Sequence, residues 1–355
     1  MLFCTEAATE CACRTGRRGL LAAGGALAGA ILARPVQAQP PGLVPGLVPG
    51  LVDVHHHVSP PAFLAAAQSS PLTRNPVAER WTLAATLEAM DRGGVATAVL
   101  SLANPGLAVG GAGAEALGRD CNTYMAGLVR DHPGRFRFFA ALPLPDVDAS
   151  LRTLAHAFDE LGADGVFMLT NHGGRWLGDP AFAPVFEELN RRRAVVYTHP
   201  VSAPCCEGLQ PEIGDSSIEW GTDTTRTIAS LTFSGAAARW PGVRVIFSHA
   251  GGTMPFLIER FETLARSPAM AERLPGGVRA ALAHLHYDTA QAANAGSLGA
   301  LLGIVPPGQV VFGSDYPFRL PAEQARNLRA AGLDPAVLRG IERDNARGLM
   351  PRIPG

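Results

Sequence analysis

The sequence predicts a (β/α)8 barrel of the TIM type preceded by an N-terminal export signal, and three observations carry that expectation. Apolar, β-branched runs alternate with amphipathic stretches along most of the 355 residues. Near-continuous apolar strands separated by helices imply a parallel sheet covered by helices. Eight such units follow one another, the number that closes a sheet into a barrel. The composition agrees: 47% of the residues are hydrophobic and 17% are charged, enough to bury a large core. A doubly wound open sheet is the runner-up. It would place a glycine-rich phosphate turn after the first strand, and this chain has histidines there.

Taken in order, the leader comes first. "RTGRRGLLAAGGALAGAILARPVQA" pairs Arg17 with Arg18, continues with an apolar stretch of small residues, and ends at Val36-Gln37-Ala38, a small-x-small cleavage pattern. The apolar part is too short to span a bilayer comfortably. Residues 1–38 therefore read as a twin-arginine signal peptide, cleaved after Ala38, with a periplasmic or otherwise exported product and no membrane contact afterwards; a cytoplasmic protein is the alternative. Residues 39–50, a Pro-Gly repeat of period four, read as a tether. The barrel domain is expected over 51–352. Its strands are "LVDVHHH" (51–57), "ATAVLSL" (96–102), "FRFFAAL" (136–142), "DGVFML" (164–169), "AVVYTHP" (194–200), "VRVIFSH" (243–249), "HLHYDTA" (284–290) and "VVFGSD" (310–315). Helices are expected in "TLAATLEAMDRG", "DASLRTLAHAFDELG", "DPAFAPVFEELNRRR" and "DTTRTIASLTFSGAAARW", whose apolar residues recur at three and four; several open on Asp, a good N-cap.

Composition also excludes. A formal net charge of -1 offers no basic field for nucleic acid. All 30 basic side chains are arginine, so neither a Schiff base nor a carboxylated-lysine metal bridge can form. Of the six cysteines, Cys4, Cys11 and Cys13 fall in the leader; Cys121, Cys205 and Cys206 are too few and too awkwardly spaced for a disulfide framework.

In such a barrel chemistry belongs at the C-terminal strand ends. The polar residues there are His55 and His57 on the first strand, His199 on the fifth, His249 on the sixth and Asp315 on the eighth. Strand side chains alternate, so His55 and His57 share a face while His56 points the other way, as a hydrogen-bonded packing residue. Imidazoles with one carboxylate suit a single borderline divalent ion: zinc first, manganese or iron(II) as alternates.

At these residues the sequence resembles a known group. His-x-His on the first strand, "YTHP", "FSHAGG" and "GSDYPF" are similar to the metal-dependent hydrolase barrels of the amidohydrolase superfamily. More narrowly they resemble its non-oxidative decarboxylase branch, typified by aminocarboxymuconate semialdehyde decarboxylase. "LSLANPG", "FFAALPLPDVDASL" and "LGDPAFAPVFEELNRR" look like 6-methylsalicylate decarboxylases. The resemblance spans about residues 51–350. It implies His55, His57, His199 and Asp315 as metal ligands, with His249 as an unligated acid-base residue beside them. The leader and the Cys205-Cys206 loop depart from the pattern.

The expected function is a carboxy-lyase acting on a small aromatic hydroxy acid such as 6-methylsalicylate, in a homodimer. Removing CO2 requires a proton for the ring carbon, and the sequence leaves Asp315 and His249 both open as its source. Trp220 is a candidate wall for the ring, His172 and Arg175 candidate contacts for the carboxylate, and His286 and Asp288 candidate supports behind the metal ligands. The rivals are a hydrolase of a lactone or amide on the same scaffold and a metal-binding protein without turnover.

Overall fold

A computed structural model of the chain describes residues 42–70 and 75–355. The expected leader, residues 1–38, lies outside the described residues. Eight parallel strands form one sheet in chain order: β1 (Leu51–Val58), β2 (Val95–Leu102), β3 (Phe136–Ala141), β4 (Gly165–Leu169), β5 (Val195–His199), β6 (Arg244–Phe247), β7 (His286–Asp288) and β8 (Val310–Val311). The sheet curls into a barrel. Its seam is made by backbone hydrogen bonds between β1 and the segment after β8: Val54 N–H donates to Phe312 O, Asp315 N–H to His55 O and His57 N–H to Tyr316 O. All eight residues of β1 are buried, which is why that strand carries no polar/apolar alternation in composition.

Each strand is followed by a helix that covers the barrel. These are α1 (Leu83–Gly93), α2 (Ala114–Asp131), α3 (Val147–Asp159), α4 (Ala183–Arg192), α5 (Glu219–Phe233), α6 (Ile258–Ala265), α7 (Ala295–Leu302) and α8 (Pro321–Ala330). The first opens as its sequence suggests, with the Thr82 hydroxyl accepting from Ala85 N–H, and closes on Gly94 in the left-handed region (φ 74°).

Three details differ from the sequence reading. Helix α3 is capped by Asp146, whose carboxylate accepts from Ala149 N–H, and not by Asp148, which lies within its first turn. Helix α5 starts four residues ahead of Asp223, so Asp223 is no cap. It is a buried residue inside the helix, and its carboxylate accepts from Thr170 Oγ1, Asn171 Nδ2 and Trp176 Nε1. The same helix ends at Phe233 because Gly235 turns left-handed (φ 77°), and "AAAR" (236–239) forms a separate short turn.

The described part of the Pro-Gly segment is also more than a tether. Leu43 and Leu47 are buried in the core, and Val44 N–H donates to Arg92 O. Period-four leucines thus anchor the segment over the N-terminal end of β1, where leucine burial repays the order imposed on the chain.

Candidate metal centre and its surroundings

The C-terminal ends of β1 and β5 and the turn after β8 bring His55, His57, His199 and Asp315 together. One ligand atom from each lies within 4.8 Å of the other three, and all four residues are buried. The imidazole rings meet edge to face, with centroids 4.9 Å apart for His55 and His57, 4.8 Å for His57 and His199 and 5.3 Å for His55 and His199.

Each imidazole is fixed from behind. Nδ1 of His55 donates to Asp288 Oδ2 (2.9 Å), Nδ1 of His57 to the Leu102 carbonyl (2.9 Å) and Nδ1 of His199 to the Pro200 carbonyl (2.9 Å). With a proton assigned to every Nδ1, each Nε2 keeps its lone pair. Those lone pairs face one another: His55 Nε2 is 3.1 Å from His57 Nε2, and Asp315 Oδ1 sits 3.2 Å and 3.3 Å from the two. Asp315 Oδ1 is itself buried without a hydrogen-bond partner. Two imidazole lone pairs and an orphaned carboxylate oxygen converging in a dry site repel unless a cation stands between them.

The electrostatics say the same. Burial lowers the pKa of His55, but the Asp288 and Asp315 carboxylates outweigh it and raise the value to about 10, so this pocket attracts positive charge. Burial holds His199 well below its ordinary value, with His57 and His55 adding to the effect, and burial also lowers His57. An ion that displaced the proton His55 otherwise retains would meet three imidazole lone pairs and one carboxylate, a donor set that fits a borderline divalent metal.

His249 stands beside this cluster. Its ring centroid is 5.1 Å from that of His55 and 6.1 Å from that of His199. Its Nδ1 donates to the Ala290 carbonyl (2.9 Å), which leaves Nε2 as the free ring nitrogen. The residue is held in the left-handed region (φ 55°), as is Ala250 (φ 56°), the kind of strained backbone that surrounding structure must enforce. Here the enforcement is visible: His249 N–H donates to Asp288 Oδ1, and a side chain at Gly252 would collide with the Gly221 carbonyl on α5. The glycines after His249 therefore let α5 approach the turn, which brings Trp220 to the site.

Asp288 serves both halves. Its Oδ2 accepts from the His55 imidazole and its Oδ1 from the backbone of His249 and Ala290. His286, two residues earlier, takes no part. It sits at the opposite end of the short β7 beside Arg244, because a strand of three residues separates its ends by a full layer of the barrel.

Among the substrate-contact candidates, Trp220 lies with its ring centroid 5.6 Å from His199. His172 packs edge-on against Phe182 (5.8 Å) in a two-residue hairpin after β4, and Arg175, its partner in that hairpin, is exposed; neither joins the cluster. His56 donates from Nδ1 to Asp53 and stacks on Tyr316 (4.5 Å), the packing role expected of it. Asp53 in turn accepts from Ser314, bracing the turn that carries Asp315.

Two residues at the site carried no assignment from the sequence. Gln291 Nε2 donates to Asp315 Oδ2, and Phe318 packs edge-on against His57 (5.6 Å). Gln291 lies just past the strand-end motif "HYDTA" and Phe318 closes the motif "GSDYPF", and that position was the available signal.

The family described as Amidohydrolase matches residues 52–352. The chain belongs to the amidohydrolase family. Among individual relatives of this amidohydrolase, the 6-methylsalicylic acid decarboxylase acuB of Aspergillus aculeatus is 36% identical over 321 residues, covering 85% of this chain and 96% of the relative. Among solved structures, an amidohydrolase II superposes with a TM-score of 0.78 at 24% identity, covering 85% of this chain and 100% of the other. A dihydroxybenzoic acid decarboxylase from Polaromonas sp. JS666, with bound manganese and the inhibitor 2-nitroresorcinol, does so at 0.73 and 18% identity, covering 87% and 98%. These likenesses confirm the barrel.

Proposed function

We propose that this amidohydrolase is a metal-dependent, non-oxidative decarboxylase of small aromatic hydroxy acids, with 6-methylsalicylate the first substrate to try. The observation that carries the reading is the free imidazole of His249 beside a four-ligand cluster, in a chain 36% identical to a 6-methylsalicylic acid decarboxylase. His55, His57, His199 and Asp315 would hold the ion, which when bound supplies Lewis acidity toward oxygen atoms of the substrate. Zinc is the first choice for three imidazoles and a carboxylate; manganese, present in the Polaromonas relative, is the second.

The residues of the chain then divide the remaining work. Trp220 and Phe318, flanking His199 and His57, offer aromatic walls to a ring. As an imidazolium, with Nδ1–H kept on the Ala290 carbonyl, His249 supplies the proton from Nε2: the bond between ring carbon and carboxylate breaks, its electron pair stays on the ring carbon, that carbon takes the proton, CO2 leaves, and His249 is left neutral. Asp315 is the poorer source, because Oδ1 faces the ligand imidazoles and Oδ2 already accepts from Gln291. His172 and Arg175 have no part in this reading.

The deciding experiment supplies the metal-loaded protein with 6-methylsalicylate, other hydroxybenzoates and aryl lactones. Release of CO2 with the matching phenol is the expected result. A ring-opened acid from a lactone, with no CO2 from any hydroxybenzoate, makes the protein a hydrolase instead. The homodimer and the exported location belong to the same proposal. Sedimentation of the purified protein tests the first, and mass spectrometry of cell fractions for a product starting after Ala38 tests the second.

A further inference from the structure

At the N-terminal end of the barrel, opposite the candidate metal centre, lies a cavity of about 450 Å³. That is within the size range of small-molecule sites. Its walls are mostly apolar and include Phe186, Trp240, Val245 and Leu285; the first two rings stack with centroids 5.1 Å apart.

Arg244, Arg273, His284, His286 and Gln309 line the same cavity, and three of them have a buried polar atom without a hydrogen-bond partner: Arg244 Nε, His286 Nδ1 and Gln309 Oε1. Buried polar groups are satisfied in the great majority of cases, so three orphans on side chains that line one cavity call for an explanation. Arg244 donates from Nη2 to the Arg193 carbonyl and has no ion-pair partner among the described residues. A half-buried guanidinium facing an apolar cavity, with no carboxylate to answer it, is a receptor for an anion.

We infer that this cavity is a second binding site, for a small aromatic carboxylate whose ring lies against Trp240 and Phe186 and whose carboxylate accepts from Arg244 and His286. Gln309 Oε1 is an acceptor, so a ring hydroxyl on the ligand would complete the set. The site lies at the N-terminal end of the barrel and shares no residue with the metal cluster; its occupancy does not depend on the reaction proposed there.

The four tryptophans of the chain make the two sites separately visible, because Trp220 stands at the metal centre and Trp240 in the cavity. The metal-loaded protein is labelled with 5-fluorotryptophan, the two signals are assigned by Trp220→Phe and Trp240→Phe, and benzoate is titrated while both are followed. The Trp240 signal should shift saturably. Arg244→Gln should weaken that response about tenfold or more while leaving the Trp220 response unchanged, a charge-assisted contact being of that order. On the unaltered protein, benzamide, the neutral analogue, should bind the cavity about tenfold more weakly than benzoate, which keeps the test available if Arg244→Gln does not fold. A Trp240 signal that ignores benzoate overturns the inference, as does equal binding of benzoate and benzamide.

Discussion

Replacing Asp288 with Asn isolates what a single buried carboxylate does for the metal centre. The exchange preserves shape, so the consequences follow from hydrogen-bond polarity and from the loss of one buried negative charge. One carboxylate oxygen accepts two backbone N–H groups, from His249 and Ala290, each at 2.9 Å. The amide introduced by Asp288→Asn must keep its oxygen there, since turning NH2 toward two N–H donors would forfeit both bonds. The NH2 then faces His55 Nδ1. An NH2 group cannot accept a proton donor, so His55 must move its proton to Nε2, the nitrogen turned toward His57 and Asp315. The variant is therefore expected to fold and to keep the His249 turn, yet to bind metal about 10- to 100-fold more weakly, or about 1.4–2.7 kcal/mol. Competition against a chelator of known affinity measures the dissociation constant, and far-ultraviolet circular dichroism checks the fold. A D288N protein that binds metal as tightly as the parent would refute the assignment of Nε2 as the ligand atom of His55.

Three further outcomes follow from the same structure. His249→Ala should retain its metal while turnover falls about a hundredfold or more, the scale of a missing general acid; metal content and kcat measured on one sample decide it, and loss of both together would make His249 a ligand. Arg137→Met should destabilise the fold by about 2–4 kcal/mol in urea unfolding, because it strips a two-pronged partner from the buried Asp164 and leaves the exposed Arg352 as its one remaining cation, beside a long bond from Phe138 N–H; an unchanged midpoint would show that these two suffice. Stability should fall on acidification from pH 7 to 5. Burial holds His172 at about 4, below its ordinary 6.5, and burial aided by Arg244 does the same to His286. In that window the unfolded chain binds protons that the folded chain refuses, at up to about 2 kcal/mol per group by pH 5. His172→Gln should lose less stability over that interval than the parent, and an identical loss would clear His172 of any role.

The parts of the site that were legible in the sequence share one property: they sit at the polar ends of apolar strands. His55, His57, His199, His249 and Asp315 each interrupt a run that should be apolar to its end, and period two separates His56 from its neighbours. The strand count was readable because parallel strands buried on both faces leave continuous apolar runs. Distance in sequence hid the rest. That Asp223 ties α5 to the hairpin after β4, or that Gln291 reaches Asp315, depends on which strand ends lie side by side, and no local pattern encodes that. The Pro-Gly segment misled for a simpler cause: its composition suits a flexible spacer, while its leucines, four apart, find a core to enter. His286 shows the limit of periodicity, which gives the face of a strand and not the depth along it.

The seam of the barrel has one more consequence, topological in kind. Two of the four candidate metal ligands come from the first strand and one from the turn after the last, so an ion bound there would fasten the beginning of the domain to its end. In the unfolded chain those positions enclose nearly the whole domain, and joining them costs loop-closure entropy that no earlier helix-strand unit has lowered. An ion bound by these candidate ligands would therefore act as the clasp of a ring. It can be fastened only after synthesis has delivered the final strand, and its removal should open the seam between β1 and β8 before any other pair of strands, exposing the amides of Val54 and His57 to hydrogen exchange first.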